Sequence, residues 1–124
     1  MGLLKRIFTW WDGATIGTQL FTWRAGEKVG GDAAGNVYYR ARKGDRRWVI
    51  YNGPAEASRV PPEWHLWLHH ASDTPGDAGI PVKVWEKPHV PNLTGSDAAY
   101  APSGALSAGG RRAAATGDYE AWTP

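Results

Sequence analysis

Val60-Pro61-Pro62-Glu63-Trp64-His65-Leu66-Trp67-Leu68-His69-His70 is the densest block of apolar and imidazole side chains in the sequence. The two prolines pre-set φ for a first helical turn, where no N–H is needed. Glu63 then falls near the positive end of the helix dipole. At 100° per residue, Trp64, Trp67, Leu68 and Ala71 share one face. His65 and His69 lie on one flank, Leu66 and His70 on the other. Ser72-Asp73-Thr74-Pro75-Gly76 reads as the stop. The block therefore predicts a helix of about ten residues that buries two indoles. The rest of the chain has to supply the surface that receives them.

That surface is expected between Glu27 and Asn52, which reads as a small antiparallel sheet. Lys28-Val29-Gly30 is a short first strand, and Gly31-Asp32-Ala33-Ala34-Gly35-Asn36 carries turn residues able to take φ > 0. Val37 to Arg42 is a second strand. Its alternation puts Val37, Tyr39 and Ala41 on one face and Tyr38, Arg40 and Arg42 on the other. After Lys43-Gly44-Asp45, the third strand runs from Arg46 to Tyr51, with Trp48 and Ile50 opposite in face to Val49 and Tyr51. Trp48, Trp64, Trp67 and Leu68 are the expected structural core. A unit of this size sits near the limit where a lone core is marginal. With no Cys in 124 residues, no disulfide can staple it, and thiolate metal sites are excluded.

The N-terminal stretch places Leu3, Leu4, Ile7, Phe8 and Trp11 on one helical face. Asp12-Gly13 breaks it, and Ile16, Leu20, Phe21 and Trp23 continue the apolar supply to Arg24. Three uses of this amphipathic helix stay open: a membrane surface, a partner protein, or the chain's own sheet. A basic pair followed by a broken apolar run does not read as a secretory signal. No uncharged apolar run is long enough to span a membrane.

Gly76 to Pro124 differs in kind. Prolines punctuate it, neither helical nor strand period survives, and Gly104 to Gly117 is nearly all Gly, Ala, Ser and Arg. Trp85, Leu93, Tyr100, Tyr119 and Trp122 recur along it as isolated anchors. A plain spacer has no need of such residues, whereas a segment laid along another protein does. These five, with Phe8 and Trp11, are the candidate partner-binding residues. The composition agrees: eight Trp against two Phe is an interfacial bias.

Catalytic and metal chemistry find little support. His65 and His69 have helical zinc-site spacing, but no third ligand or catalytic Glu is fixed. No nucleophile elbow, phosphate loop or dinucleotide fingerprint is present. Arg40, Arg42, Lys43, Arg46 and Arg47, interleaved with Tyr38, Tyr39 and Trp48, would suit single-stranded nucleic acid. They would equally protect an edge strand or meet an acidic partner. The net charge of +2 does not argue for nucleic acid.

Three strings together carry a resemblance. They are Gly31-Asp32-x-x-Gly35-Asn36-x-Tyr38-Tyr39, Arg47-Trp48-Val49-Ile50-Tyr51, and Val60-Pro61-Pro62-Glu63-Trp64-His65-x-Trp67-Leu68-His69. With Asn92-Leu93-Thr94-Gly95, Tyr100-x-Pro102 and the terminal Tyr119-x-x-Trp122-x-Pro124, they resemble the alpha-subcomplex subunit 12 family of respiratory complex I, over about Gly26 to Pro124. Arg40 departs from the acid of mitochondrial members, and Ala105 to Gly117 looks like a lineage-specific filler. The lack of a presequence looks bacterial. The resemblance implies a non-catalytic accessory subunit, without cofactor or metal, present once in a hetero-oligomer. It implies contacts with hydrophilic-arm subunits, iron–sulfur subunits among them. It implies a role in stability and assembly near the membrane arm. The site would be peripheral, on the cytoplasmic face of a bacterial inner membrane or the matrix face of a mitochondrial one. An assembly factor of the same family is the alternative. The expected fold is α+β in three parts: an amphipathic helical segment over 1–25, a sheet-plus-helix core over 26–74, and an extended tail over 75–124.

Overall fold

A computed structural model describes residues 2–9 and 13–124. Strands β1 (Gly26–Gly31), β2 (Val37–Ala41) and β3 (Arg47–Ile50) form an antiparallel sheet in the order β1-β2-β3. Cross-strand register pairs Tyr38 with Val49 and Tyr39 with Trp48. Because side chains alternate along a strand, Tyr38 and Val49 point one way, Tyr39 and Trp48 the other. A bulge between Lys28 and Gly30 shifts the register of β1 on β2.

The Tyr38 face receives helix α3 (Pro62–Leu68). Tyr38, Val60, Trp64 and Trp67 are buried there, and Val29, Val49, Tyr51 and Leu68 pack around them. The Trp64 ring stacks on Tyr38 with centroids 4.0 Å apart and planes within 2°. Trp67 meets both edge-on, at 6.4 Å from Tyr38 and 5.5 Å from Trp64. Offset and edge-to-face pairs add attraction beyond area burial. Trp48, expected in this core, lies instead on the opposite face, where it is half-buried.

Helix α3 starts where the prolines predict, with Pro62 as its first residue, but it is seven residues long rather than about ten. The reason is His70, whose φ of 57° puts it in the left-handed region. Ala71 and Ser72 then donate back to the Leu66 carbonyl at 3.0 and 3.2 Å. Arg47 completes the stop from the sheet. Its Nη1 donates to the carbonyls of Trp67 (2.6 Å) and Ser72 (3.0 Å), and its Nη2 to Asp73 Oδ1 (2.7 Å). The guanidinium also sits 4.9 Å from the centroid of the Trp67 ring. Arg47→Met should therefore cost about 2–3 kcal/mol in urea denaturation, and Arg47→Lys should recover little, because an ammonium lacks the planar fork. Equal midpoints for Met and wild type would remove Arg47 from the cap.

The far face is covered by α2 (Ile16–Ala25), whose start is fixed by Thr15 accepting from the Thr18 amide at 3.2 Å. Trp48 Nε1 donates to Thr22 Oγ1 at 2.9 Å, and Phe21 packs on Trp48 with centroids 5.3 Å apart. In sequence this stretch shows only scattered apolar residues, and the second helix has no clean apolar stripe to announce it. Helix and strand meet at Gly26 without a loop. A Cβ there would lie 2.5 Å from the Thr22 carbonyl oxygen and 2.8 Å from Trp48 Cζ2, so only glycine fits. The first helix, α1 (Leu3–Phe8), leaves Leu3, Leu4, Ile7 and Phe8 exposed. Trp11 lies outside the described residues.

The chain divides into two compact units, Met1–Pro91 and Asn92–Pro124. Residues 76–91 thus belong with the sheet, whereas the reading from sequence began the tail at 75. Gly76 packs flat on Trp64, where a Cβ would stand 2.6 Å from Trp64 Cγ. A ring nitrogen of His89, Nε2, meets the Ser58 carbonyl at 2.8 Å. The second unit holds one short 3₁₀ turn, Leu106–Ala108, and otherwise irregular backbone. Arg112 pairs with Asp118, which also accepts from the Ala115 amide at 2.7 Å, so the Ala/Gly/Arg stretch contains a local clip.

Candidate functional site

The Gly31-to-Asn36 turn concentrates most of the buried polar chemistry. Asp32 Oδ1 accepts from the amides of Ala34 (2.9 Å) and Asn36 (3.0 Å), an Asx arrangement that closes the turn. Asp32 Oδ2 accepts from Asn36 Nδ2 (2.9 Å) and the Tyr38 hydroxyl (2.8 Å). Asn36 Oδ1 accepts from the Asn52 amide at 3.0 Å, which ties the turn to the exit of β3. Arg59 then donates to the Asn52 and Pro54 carbonyls at 2.6 and 3.0 Å. Asn36 and Tyr38 are fully buried. Among the described residues no buried side-chain nitrogen or oxygen lacks a partner. Groups so completely satisfied hold a structure in place.

Tyr38 is held protonated. Burial, and then its hydrogen bond to Asp32, raise its phenol well above the ordinary 10.0, and burial raises Tyr51 as well. The folded state therefore keeps protons that the unfolded state loses above about pH 10. Stability is full below that pH and falls as pH rises past it, by up to about 1.4 kcal/mol per pH unit for each group. Tyr38→Phe should flatten part of that alkaline slope in chemical denaturation at pH 9 to 11. It should also cost about 1.5–3 kcal/mol at neutral pH, as a hydrogen bond to a charged group is lost. An unchanged slope would contradict this account of Tyr38.

Beside the turn lies a groove of about 680 Å³ lined by Asp32, Arg59, Trp64, Asp77, Glu86 and His89 among others. Its charges are mixed. Among the described residues no three His, Cys, Asp or Glu side chains are placed to hold a metal ion together.

The basic cluster is largely engaged within the fold. Arg40 pairs with Glu27 at 3.0 Å, Arg42 Nε donates to the Gly26 carbonyl at 3.2 Å, and Arg46 lies 5.2 Å from the Phe21 centroid. Arg47 caps α3.

What the fold leaves outside is apolar. In the first unit Phe8 and Trp85 are exposed, with Trp85 at 78 %. In the second, Tyr100, Tyr119 and Trp122 are 91, 90 and 82 % exposed, and Leu93 is the least so at 39 %. Isolated aromatics this open on irregular backbone gain nothing from their own unit. No helix among the described residues is long and apolar enough to cross a membrane.

The profile of a family described as NADH ubiquinone oxidoreductase subunit NDUFA12 matches residues 26–124. The chain belongs to that family. The match takes in the whole sheet, α3 and the second unit; α1 and α2 precede it. The chain is 40 % identical over 83 residues to NADH dehydrogenase [ubiquinone] 1 alpha subcomplex subunit 12 of Dictyostelium discoideum, covering 62 % of this chain and 60 % of that one. The Bos taurus protein of the same name is 40 % identical over 94 residues, covering 64 % of each. An uncharacterised Rickettsia prowazekii protein is 43 % identical over 49 residues, 35 % of this chain and 49 % of its own, which supports a bacterial member. The chain thus spans less than two thirds of the length of the subunit 12 relatives.

The Gly-Asp-x-x-Gly-Asn-x-Tyr string, read from sequence as turn residues, is the hydrogen-bonded brace of the sheet. Gly35 is in it because its φ is +86° and Asn52 Nδ2 would lie 2.6 Å from a Cβ.

Proposed function

We propose that this protein is a non-catalytic accessory subunit of respiratory complex I that stabilises the hydrophilic arm near the membrane arm and supports assembly. The observation that carries the reading is the family match over 26–124. The exposed Tyr100, Tyr119 and Trp122 of the second unit support it, because rigid aromatics are the usual anchors of protein interfaces. The partners are hydrophilic-arm subunits, iron–sulfur subunits included. The protein binds no cofactor of its own and works peripherally on the cytoplasmic face of a bacterial inner membrane.

The test is purification of detergent-extracted complex I from cells carrying an epitope on this chain. One copy per flavin in the mature complex is the expected result. Presence only in immature subcomplexes would make the protein an assembly factor, and absence from both would end the reading. The exposed Leu3/Leu4/Ile7/Phe8 face of α1 is a proposed membrane-surface contact, with Lys5 beside it. Flotation with anionic vesicles should be lost on removing residues 2–11. A full-length chain that never floats would leave that face to a partner protein.

A further inference from the structure

We propose that the outer edge of β3 accepts a fourth strand, an extended segment of a neighbouring hydrophilic-arm subunit that carries apolar and acidic side chains and lies in the cleft between that edge and α2. The identity of this occupant rests on the accessory-subunit reading; the open edge is read from the backbone alone.

Hydrogen-bond parity fixes which groups are free. On one side of β2, the Ala41 amide donates to the Arg46 carbonyl at 2.8 Å. On the other, the Asn36 carbonyl accepts from the Asp32 amide at 3.1 Å and the Arg42 amide donates to the Ala25 carbonyl at 2.9 Å. Bonding direction alternates residue by residue along an antiparallel strand. Trp48 and Ile50, paired with Tyr39 and Val37, therefore turn their main-chain groups toward β2. Arg47 and Val49 turn theirs outward. Among the described residues nothing takes up those outward amides and carbonyls. Each can exchange both of its bonds with one residue of an added strand.

The opposite edge of the sheet is blunted. Strand β1 carries the bulge between Lys28 and Gly30, and the Asp77 carboxylate lies against Gly30. Bulges and covering segments are the usual protection of an edge. Strand β3 has neither a bulge nor a proline, and its register on β2 is unbroken from Arg47 to Ile50. The Arg47 side chain, which could guard the edge, is drawn off to the end of α3.

A groove runs beside this edge. It measures about 290 Å³ and is lined by Gly17, Thr18, Phe21, Arg46, Trp48 and Val49. Pockets for whole small molecules run from about 300 to 1,000 Å³, so this one suits the side chains of a strand. Helix α2 forms its wall and Gly17 leaves it open: a Cβ there would meet only Thr15 Oγ1, at 3.8 Å. An open edge with a cleft alongside is the arrangement of strand addition, in which main-chain bonds give affinity and alternate side chains fill the cleft. Phe21 and Trp48 supply apolar surface. Arg46 lies 5.2 Å from the Phe21 centroid with no carboxylate partner among the described residues, so an acidic side chain on the added strand complements it.

The experiment uses two variants of the full-length chain in competition with wild type for membranes lacking the protein. Val49→Pro removes an outward N–H that the sheet does not use, a position where an edge strand tolerates proline. Gly17→Trp fills the groove without touching the sheet. Each should lower incorporation at least about tenfold. If Val49→Pro lowers the Tm of the free chain, Gly17→Trp alone decides. In the purified mature complex, the Arg47 and Val49 amides should exchange at least about a hundredfold more slowly than in the free chain. Wild-type incorporation of Gly17→Trp, or exchange at the free-chain rate inside the complex, overturns the fourth strand and leaves the accessory-subunit reading standing. A chain absent from the complex ends both. Self-association of the free chain that Gly17→Trp abolishes would give the edge to a second copy and overturn the partner named here.

Discussion

Trp67→Ala leaves the first unit unfolded. Trp67 is 2 % exposed and lies edge-on to Tyr38 and Trp64. Its ring carries the Arg47 guanidinium, and its carbonyl takes one of the three Arg47 hydrogen bonds that close the helix. Truncating a buried Trp costs about 3–5 kcal/mol, and here the cavity would open at the joint between sheet and helix. Ordinary domains hold about 5–15 kcal/mol in total, and a three-stranded sheet with one short helix belongs at the bottom of that range. The expected result is loss of the near-UV aromatic signal and of cooperative unfolding in the purified chain. Leu66→Ala is the matched control: Leu66 is 47 % exposed on the same helix, so its loss should change stability by less than about 0.5 kcal/mol. A Trp67→Ala protein with a wild-type unfolding curve would mean that the three-ring stack is dispensable.

Trp122→Ala and Tyr100→Ala should each weaken incorporation into the parent complex by about 2 kcal/mol, near thirtyfold, without changing the stability of the free chain. Stability should hold because both side chains are almost wholly in solvent, at 82 and 91 %. Incorporation should fall because a segment ordered on binding gives up conformational entropy, and a few anchors have to offset it. Arg111→Ala, on the exposed Ala/Gly/Arg stretch, should have no effect. Competition of tagged variants against wild type for membranes lacking the protein would measure all three. Hydrogen exchange gives a second reading: amides of 92–124 should exchange fast in the free chain and slowly after incorporation. Undiminished incorporation after deletion of 92–124 would move recognition to the first unit.

The parts of this fold that sequence made legible are those where one local rule acts alone. Pro61-Pro62 sets the start of α3, and the alternation of Tyr38 with Tyr39 sets the two sheet faces. The parts that were not legible depend on contacts distant in sequence. Turn residues begin at Ser72, so the sequence predicts the end of α3 there. The helix in fact ends at Leu68, because His70 two residues on has a positive φ and Arg47 reaches across from β3 to cap the last turn. Trp48 was grouped with the other tryptophans because periodicity gives a face but not what covers it. Its cover is α2, whose apolar residues do not form a clean stripe. Thr15 three residues before Thr18 was the available sign of that helix. Residues 76–91 carry no periodic signal at all. Gly76 joins the core through close approach to the Trp64 indole of α3, and a pattern of residue types does not record such an approach.

The loop-free passage from α2 into β1 has a mechanical meaning. Most helices reach a strand through a few residues of irregular backbone, and those residues act as a pivot. Gly26 offers none: it is the last cap of the helix and the first residue of the strand, wedged between Thr22 and Trp48. Helix α2 is therefore a stiff arm of roughly 15 Å welded to the edge of the sheet. Whatever grips Leu20 and Trp23 on that arm applies its torque directly to β1 and, through the antiparallel backbone ladder, to β2. A neighbour that seats the arm consequently sets the orientation of the whole sheet in the same step.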